Sequence, residues 1–390
     1  MNKYLLDAKL AHLTEDEVNL LLKRYYENEK IASLLNEFNI QCIPQTFAKL
    51  LPLLIHEDRK CPCCNSPMGL QMQSRTSQKS ILNNMECIHC EHIELPQCRC
   101  SYCKKLKMTA AVNEQLKLNT LILEYCESFT YDLSKPSPQE LSFRSAVALL
   151  ALVRTCKLKN DGSYGAISNN TIPFAPKHDI YRELLALLID NNLICPSATS
   201  PQDAFKFESG VITSLEISLL DWRLNSERPE LLVSQIEDYG LNGNWPTCWS
   251  YEDIEGLRLE LALAECKEFY EYCMSERSFH YIEGPAIQTL LLNLLRDFSV
   301  SHCCYFIWKG AQLASDYKVR NQVNPRHAAN YVPGACLRWA DRARTERWEI
   351  KGFDRNSKLP RSMLSYVLYD VMLKTGEKGF TEPLRCNMPI

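Results

Sequence analysis

The sequence is short of glycine, histidine and net charge, and each shortage removes a class of function. Its 13 glycines in 390 residues are dispersed, and neither GxxxxGK[ST] nor GxGxxG occurs. No loop is therefore built to cradle the phosphates of a nucleotide. A GxSxG elbow and an HExxH pair are absent as well. The eight histidines are few, and His178, His280, His302 and His327 stand far apart. A catalytic set such as Glu283, Asp316 and Lys318 is no more than three residues chosen from many, so the chain reads as a non-enzyme before it reads as an enzyme of unrecognised type. The net charge of −3 argues against wholesale coating of nucleic acid and leaves only local basic patches for that role. Long apolar runs are missing too. Ala146 to Val153 and Leu184 to Ile189 fall short of the roughly 18 residues that a bilayer crossing needs, so no membrane partner is expected. Acidic residues enter the first turns, where a secretion signal would place an apolar region, and the expected location is the cytoplasm.

Cysteine, by contrast, is abundant. There are 19, and eight of them lie between Cys61 and Cys103. An odd total without an even framework of spacings does not suit a disulfide scaffold. Cys42, Cys126, Cys156, Cys195, Cys248, Cys266, Cys273, Cys303, Cys304, Cys336 and Cys386 are scattered, mostly within apolar helical patterns, and read as small buried hydrophobes. The clustered thiols are different. Cys61 with Cys64 and Cys87 with Cys90 form two CxxC knuckles, the spacing of a zinc ribbon, and Pro62, Asn65 and Pro67 favour turns at the first. Four thiolates close a tetrahedral Zn2+ site with no open position, so the ion folds the segment and catalyses nothing. Cys98, Cys100 and Cys103 follow, and His92, His89 or Cys63 would complete a second site. The competing reading is one zinc with surplus thiols beside it. From Arg59 to Lys107 there are eight Lys or Arg against three Asp or Glu, a local basic balance suited to phosphate.

Before the ribbon, Leu13 to Leu54 reads as three short helices. Thr14 and Glu17 make a capping box for the first, whose apolar stripe is Val18, Leu21, Leu22 and Tyr25. The second carries Ile31, Ala32, Leu34 and Leu35, and Pro44 opens a third with Phe47 and Leu50. This succession resembles the helix-turn-helix of the DNA invertases and resolvases, over about forty residues and without their catalytic domain. The resemblance implies that Gln41, Gln45, Thr46 and Lys49 face a major groove. Against it stands the charge of Met1 to Asp58, six Lys or Arg and nine Asp or Glu, which suits protein docking equally well.

After the ribbon the pattern is helical. Helices are expected from Val112, from Ser137 and from His178 to Asn191, the last followed by an extended Leu193 to Cys195. That helix–helix–strand order is compatible with a winged helix. The segment 157–176 is rich in Asn, Gly and Ser and is expected to be exposed. From Glu208 to Glu268, 13 acids against four bases should repel nucleic acid. Tyr251 to Met274 is an amphipathic helix, Ala286 to Phe298 and His302 to Tyr317 are two apolar helices of a hairpin, and Ser362 to Lys374 is a last helix ended by Gly376. Lys309 to Arg361 turns basic, with twelve Lys or Arg against five acids. Arg320, Arg326, His327, Arg338, Arg342, Arg344 and Arg347 are interleaved there with Tyr331, Trp339 and Trp348, on a helix expected from Pro333 to Trp348. They form either a phosphate-binding surface with aromatic support or an interdomain seam paired with acids.

The sequence thus predicts a mainly α, multi-domain protein: a helix-turn-helix-like head over 1–58, a small β zinc ribbon over 59–108, a helical, winged-helix-like region over 109–245 and a C-terminal helical domain over 246–390. One zinc or two is expected, with nucleic acid as partner, DNA favoured, of the kind found in bacterial mobile-element or phage-defence loci. A protein-interaction scaffold with purely structural zinc is the alternative.

Overall fold

The computed structural model describes residues 4–76, 85–90, 92–129, 137–280, 284–347 and 349–384. Glu283, Trp348 and Cys386 lie outside them. The architecture is mainly α-helical with a small antiparallel sheet, and it divides into two units, Met1–Leu118 and Asn119–Ile390. The head and the thiol-rich segment share the first; the two helical segments of the body share the second. No helix among the described residues is long and apolar enough to cross a membrane.

In the first unit α1 (Glu15–Tyr26) starts at the expected capping box. The Glu17 amide donates to the Thr14 hydroxyl at 3.4 Å, and the Thr14 amide donates to the Glu17 carboxylate at 2.7 Å. The chain turns at Asn28 (φ 65°) into α2 (Ile31–Glu37). Arg24 ties the two together with hydrogen bonds to both Glu29 and Glu37. Leu10, Val18, Leu21, Tyr25, Leu34 and Phe47 form the core beneath. The third element departs from the expected helix: Pro44–Leu50 is a 3-10 segment. Seven residues wound at three per turn present side chains differently from the α-helix that the recombinase resemblance implies.

The expected head boundary at residue 58 falls inside a strand, because β1 (Tyr4–Leu5) pairs with β2 (Leu53–Lys60) through Tyr4 opposite Leu54. β3 (Pro67–Gln71) and β4 (Met85–Cys87) complete an antiparallel sheet in the order β1–β2–β3–β4. A Cβ at Gly69 would come within 2.1 Å of Leu53 Cδ2, so the Leu53 side chain lies over the bare glycine. α3 (Ser101–Ser128) starts eleven residues before the expected Val112. Its early start has a local cause: the Cys103 amide, in the first turn, donates to Cys100 Sγ at 3.4 Å, so a thiol serves where a hydroxyl cap would.

In the second unit, α4 (Phe143–Thr155) begins at Ser142, whose side chain accepts from the Ser145 amide, and not at Ser137; Pro138–Glu140 is a separate 3-10 turn. α5 (His178–Asp190) and the extended β5 (Ile194–Pro196) lie where the sequence places them. A hairpin of β6 (Phe205–Glu208) and β7 (Val211–Leu215) follows, and β8 (Trp222–Leu224) returns to pair with β5. The segment 157–176 is partly buried despite its polar composition. Tyr164 and Trp222 exchange two 2.7 Å backbone hydrogen bonds, which draws Ser163, Tyr164 and Ala166 inside.

The rest is helical: α6 (Pro229–Asn242), α7 (Tyr251–Glu276), α8 (Pro285–Leu295), α9 (Val300–Asn321) and α10 (Pro325–Glu346). α7 is the shared spine. Ile254, Leu257 and Leu261 join the core of α4, α5 and α6, while Cys266, Tyr270 and Cys273 join that of α8, α9 and α10. α10 begins eight residues before the expected Pro333, capped by Asn324, and holds Pro333 within it. α9 and α10 pack closely at Gly310, where a Cβ would lie 2.5 Å from Cys336 Sγ and 3.1 Å from the Val332 carbonyl. The last expected helix is divided into α11 (Met363–Tyr366) and a π-helical turn, Val367–Met372. Arg355 anchors this tail by pairing with buried Glu265 at 2.9 Å and Glu377 at 3.1 Å. Arg361 pairs with Asp370 and with Glu377.

Two predictions follow from this packing. Gly310→Ala should lower stability by about 1–3 kcal/mol by overpacking against Cys336, whereas Gly256→Ala, which meets nothing within 4 Å, should raise it by up to about 1 kcal/mol through helix propensity. Denaturant unfolding of both variants is the check. Burial, then Glu265 and Glu271, pushes the Glu268 carboxyl up to about 7. The folded chain therefore binds the extra proton, and stability falls as pH rises from the ordinary glutamate range through about 7. Glu268→Gln should raise the melting temperature relative to wild type at pH 8 and leave it nearly equal at pH 5; equal shifts at both would contradict this.

Candidate metal centres and the arginine surface

β2 and β3 bring the first CxxC to the end of the sheet, and β4 brings the second. In the first knuckle the Cys61 amide donates to the Ser66 carbonyl at 2.8 Å and the Asn65 amide to the Cys61 carbonyl at 2.9 Å, with Asn65 in the left-handed region (φ 60°). Met68 opposite Cys87 fixes the register of the second. The result is one group of four sulfurs, Cys61, Cys64, Cys87 and Cys90, all within 4.8 Å of one another. Cys61 and Cys90 are 3.6 Å apart, Cys64 and Cys87 3.4 Å, and Cys64 and Cys90 3.5 Å. Tetrahedral thiolates bound at about 2.3 Å stand about 3.8 Å apart, so the group is already near the spacing that such an ion imposes.

The remaining three thiols also converge. Cys98, Cys100 and Cys103 surround His92 Nδ1 at 3.6, 3.5 and 3.4 Å. With bonds of about 2.3 Å to sulfur and 2.0–2.1 Å to nitrogen, tetrahedral corners are about 3.6 Å apart. His92 is therefore the fourth member of a second group that could hold a metal ion, and the thiols are not surplus. Of the alternatives, Cys63 packs against the first group and donates its amide to Cys61 Sγ at 3.4 Å, and the His89 amide donates to Cys87 Sγ at 3.4 Å. Both serve the first group.

Backbone donors prepare these sulfurs to carry charge. Ser66, through its hydroxyl and amide, holds the Cys64 thiol down at about 6, and the Ile93 and Cys100 amides do the same for Cys98. Burial pushes Cys61 and Cys90 up and takes Cys103 to about 12, with Cys100 and Cys98 adding to the rise at Cys103. Each cluster thus pairs a thiol held low, Cys64 or Cys98, with thiols that burial raises, Cys61 and Cys90 or Cys103, a mismatch that a central cation removes. The two groups are adjacent along the backbone, where the Cys87 amide donates to the His92 carbonyl at 2.7 Å and Glu86 bridges to Ile93.

The residues expected to meet nucleic acid are more dispersed. Gln45 and Lys49 are exposed on the 3-10 segment, while the Thr46 hydroxyl donates to the Ile43 carbonyl. Lys49 shares a groove with Asp7 and Glu86, which opposes phosphate there. Arg344 belongs to a seam: it pairs with Asp297 and Asp341 and donates to Asn293. Arg342 pairs with Glu346. Arg320, Arg326, Arg338 and Arg347 are exposed, and among the described residues no ion pair holds any of them. Tyr317, which the sequence reading left aside as the end of a helix, stacks on Tyr331 with ring centroids 4.6 Å apart. Its role was hidden because the partner lies on another helix.

Clefts of about 310 Å³, lined by Lys177, Glu183 and Glu260, and of about 460 Å³, lined by Tyr270, His280 and Arg326, lie in the second unit. The cavity lined by Glu265, Glu268 and Arg355 measures about 30 Å³, the space of about one water. Of the catalytic set Glu283, Asp316 and Lys318, Glu283 is outside the described residues and Lys318 lies over the Phe279 ring at 5.9 Å.

The purified chain should carry two metal ions. Cys64→Ser should leave one and Cys100→Ser should leave one, with both lost only when the two changes are combined, as read by elemental analysis after gel filtration. Two ions retained in either single variant would contradict the assignment. No family model, curated protein or solved structure matches this chain.

Proposed function

We propose that this is a zinc protein that binds nucleic acid, with two structural Zn2+ ions in the first unit and the phosphate-binding surface on α9 and α10. Zinc suits ligand sets of four thiolates and of three thiolates with one imidazole, both closed and tetrahedral. Such sites contribute folding energy and leave no position for a substrate.

The observation that carries the nucleic-acid reading is the exposed trio Arg320, Arg326 and Arg338, none of which has an acidic partner among the described residues. Arg326 adds a specific argument. It stands in the first turn of α10, where the helix dipole disfavours a cation by about 0.3–1 kcal/mol. A bound phosphate reverses that local penalty. DNA is favoured over RNA only by the head's resemblance to recombinase helix-turn-helices, and a mobile-element or defence setting rests on a loose likeness of the combined head, ribbon and body. The order α4, α5, β5, hairpin, β8 supports a winged-helix reading of that region, though its acidic surroundings do not suit phosphate.

The ion pairs of Arg344 and Arg342 favour a second reading, an interaction scaffold whose basic face meets an acidic protein. One titration separates the two. The protein should be retained on oligonucleotides with an affinity that falls steeply with salt, and Arg320→Ala/Arg326→Ala/Arg338→Ala should make the slope of log K against log[salt] shallower by about 2–3. No retention at low salt, or an unchanged slope, would overturn the nucleic-acid reading.

A further inference from the structure

His327, Tyr331 and Arg338 lie on one stripe of α10, at i, i+4 and i+11. Tyr317 of α9 joins them. Its ring is nearly parallel to Tyr331 (4.6 Å between centroids, 6°) and to His327 (5.9 Å, 19°), and its hydroxyl lies 3.4 Å from His327 Nε2. The Arg338 guanidinium lies 5.0 Å from the Tyr331 centroid. A ring has two faces, and two planar groups this close to it do not share one. Tyr317 therefore takes one face of Tyr331 and Arg338 the other, while Tyr317 gives its own second face to His327. The four groups form a column in the order His327, Tyr317, Tyr331, Arg338.

Both ends of the column are exposed residues, whereas the two tyrosines inside it are half-buried. An imidazole stacked on one side and open on the other is a planar platform. Arg320, three residues beyond Tyr317 on the same side of α9, supplies a cation there, whereas Arg326 lines a separate cleft with Tyr270, His280 and Pro333. Planar bases stack on such platforms with little regard to sequence, and only unpaired bases can reach them. We infer that the His327 end of this column stacks an unpaired base of a single-stranded nucleic acid, with Arg320 on a flanking phosphate, so that the surface prefers single strands to duplexes. This rests on the nucleic-acid reading above and adds to it the form of nucleic acid.

The probe is a single-stranded oligonucleotide carrying one 2-aminopurine, made as DNA and as RNA, beside the matching DNA duplex. Stacking should quench the fluorophore on the single strands and not on the duplex. His327→Ala should abolish the quench and weaken single-strand binding about tenfold, with duplex binding changed less than twofold, and His327→Phe, which keeps a planar ring, should restore both. A column that only staples α9 to α10 would give no quench, equal binding of strand and duplex, and a lowered melting temperature in His327→Ala. That result overturns this inference while salt-dependent binding leaves the broader reading intact. Absence of binding to every oligonucleotide overturns both.

Discussion

Thiol sulfurs do not gather by themselves. Packed within 4.8 Å of one another they repel as thiolates, and as thiols they offer only weak hydrogen bonds and a small apolar surface. The first unit depends on this tension. Its apolar core under the head is small, its strands are short, and the two groups of four ligands occupy the region where a larger domain would have a hydrophobic interior. A cation at each group turns repulsion into the strongest local attraction available, and the backbone amides aimed at Cys61, Cys87, Cys98 and Cys100 are the second shell of such a site. Since Cys87 and His92 are joined through the backbone, ordering one group orders the flank of the other.

The second unit is built on different terms. Cys126, Cys156, Cys195, Cys266, Cys273, Cys303, Cys304 and Cys336 are buried among apolar side chains and add volume, not chemistry, whereas Cys248, expected to be buried, is exposed and donates to the Leu141 carbonyl. Burial raises the thiols of Cys126, Cys156, Cys273 and Cys336, which keeps them inert. α7 spans two hydrophobic cores, and the tail is held to it by Arg355 on buried Glu265. Part of the charge that the sequence concentrates between residues 309 and 361 serves this internal order: Arg344, Arg355, Lys358 and Arg361 pair with acids of the body. Arg320, Arg326, Arg338 and Arg347 are left outward, a smaller set than composition alone implied.

Much of this was legible in the chain. Spacing was sufficient for Cys61, Cys64, Cys87 and Cys90, because a CxxC turn has few ways to direct its sulfurs. Periodicity located α1, α5, α7 and α9 closely, since each buries one face. The second group was legible only as alternatives: three thiols pointed to a site, but whether His92, His89 or Cys63 joined them depended on how β4 pairs. Other features depended on contacts that no local pattern records. Segment 157–176 is drawn inward by the pairing of Tyr164 with Trp222, α10 runs through Pro333 because Asn324 and Pro325 start it earlier, and the third element of the head winds as a 3-10 segment.

The central claim is that two closed metal sites of different ligand composition organise the first unit. Substitution with Co2+ tests it directly, because cobalt reports geometry and sulfur ligation in its visible and near-ultraviolet absorption. The account predicts two equivalents bound, both with tetrahedral bands, with charge-transfer intensity corresponding to seven thiolates per chain. A single equivalent, or the weak bands of an octahedral, water-ligated ion, would contradict it.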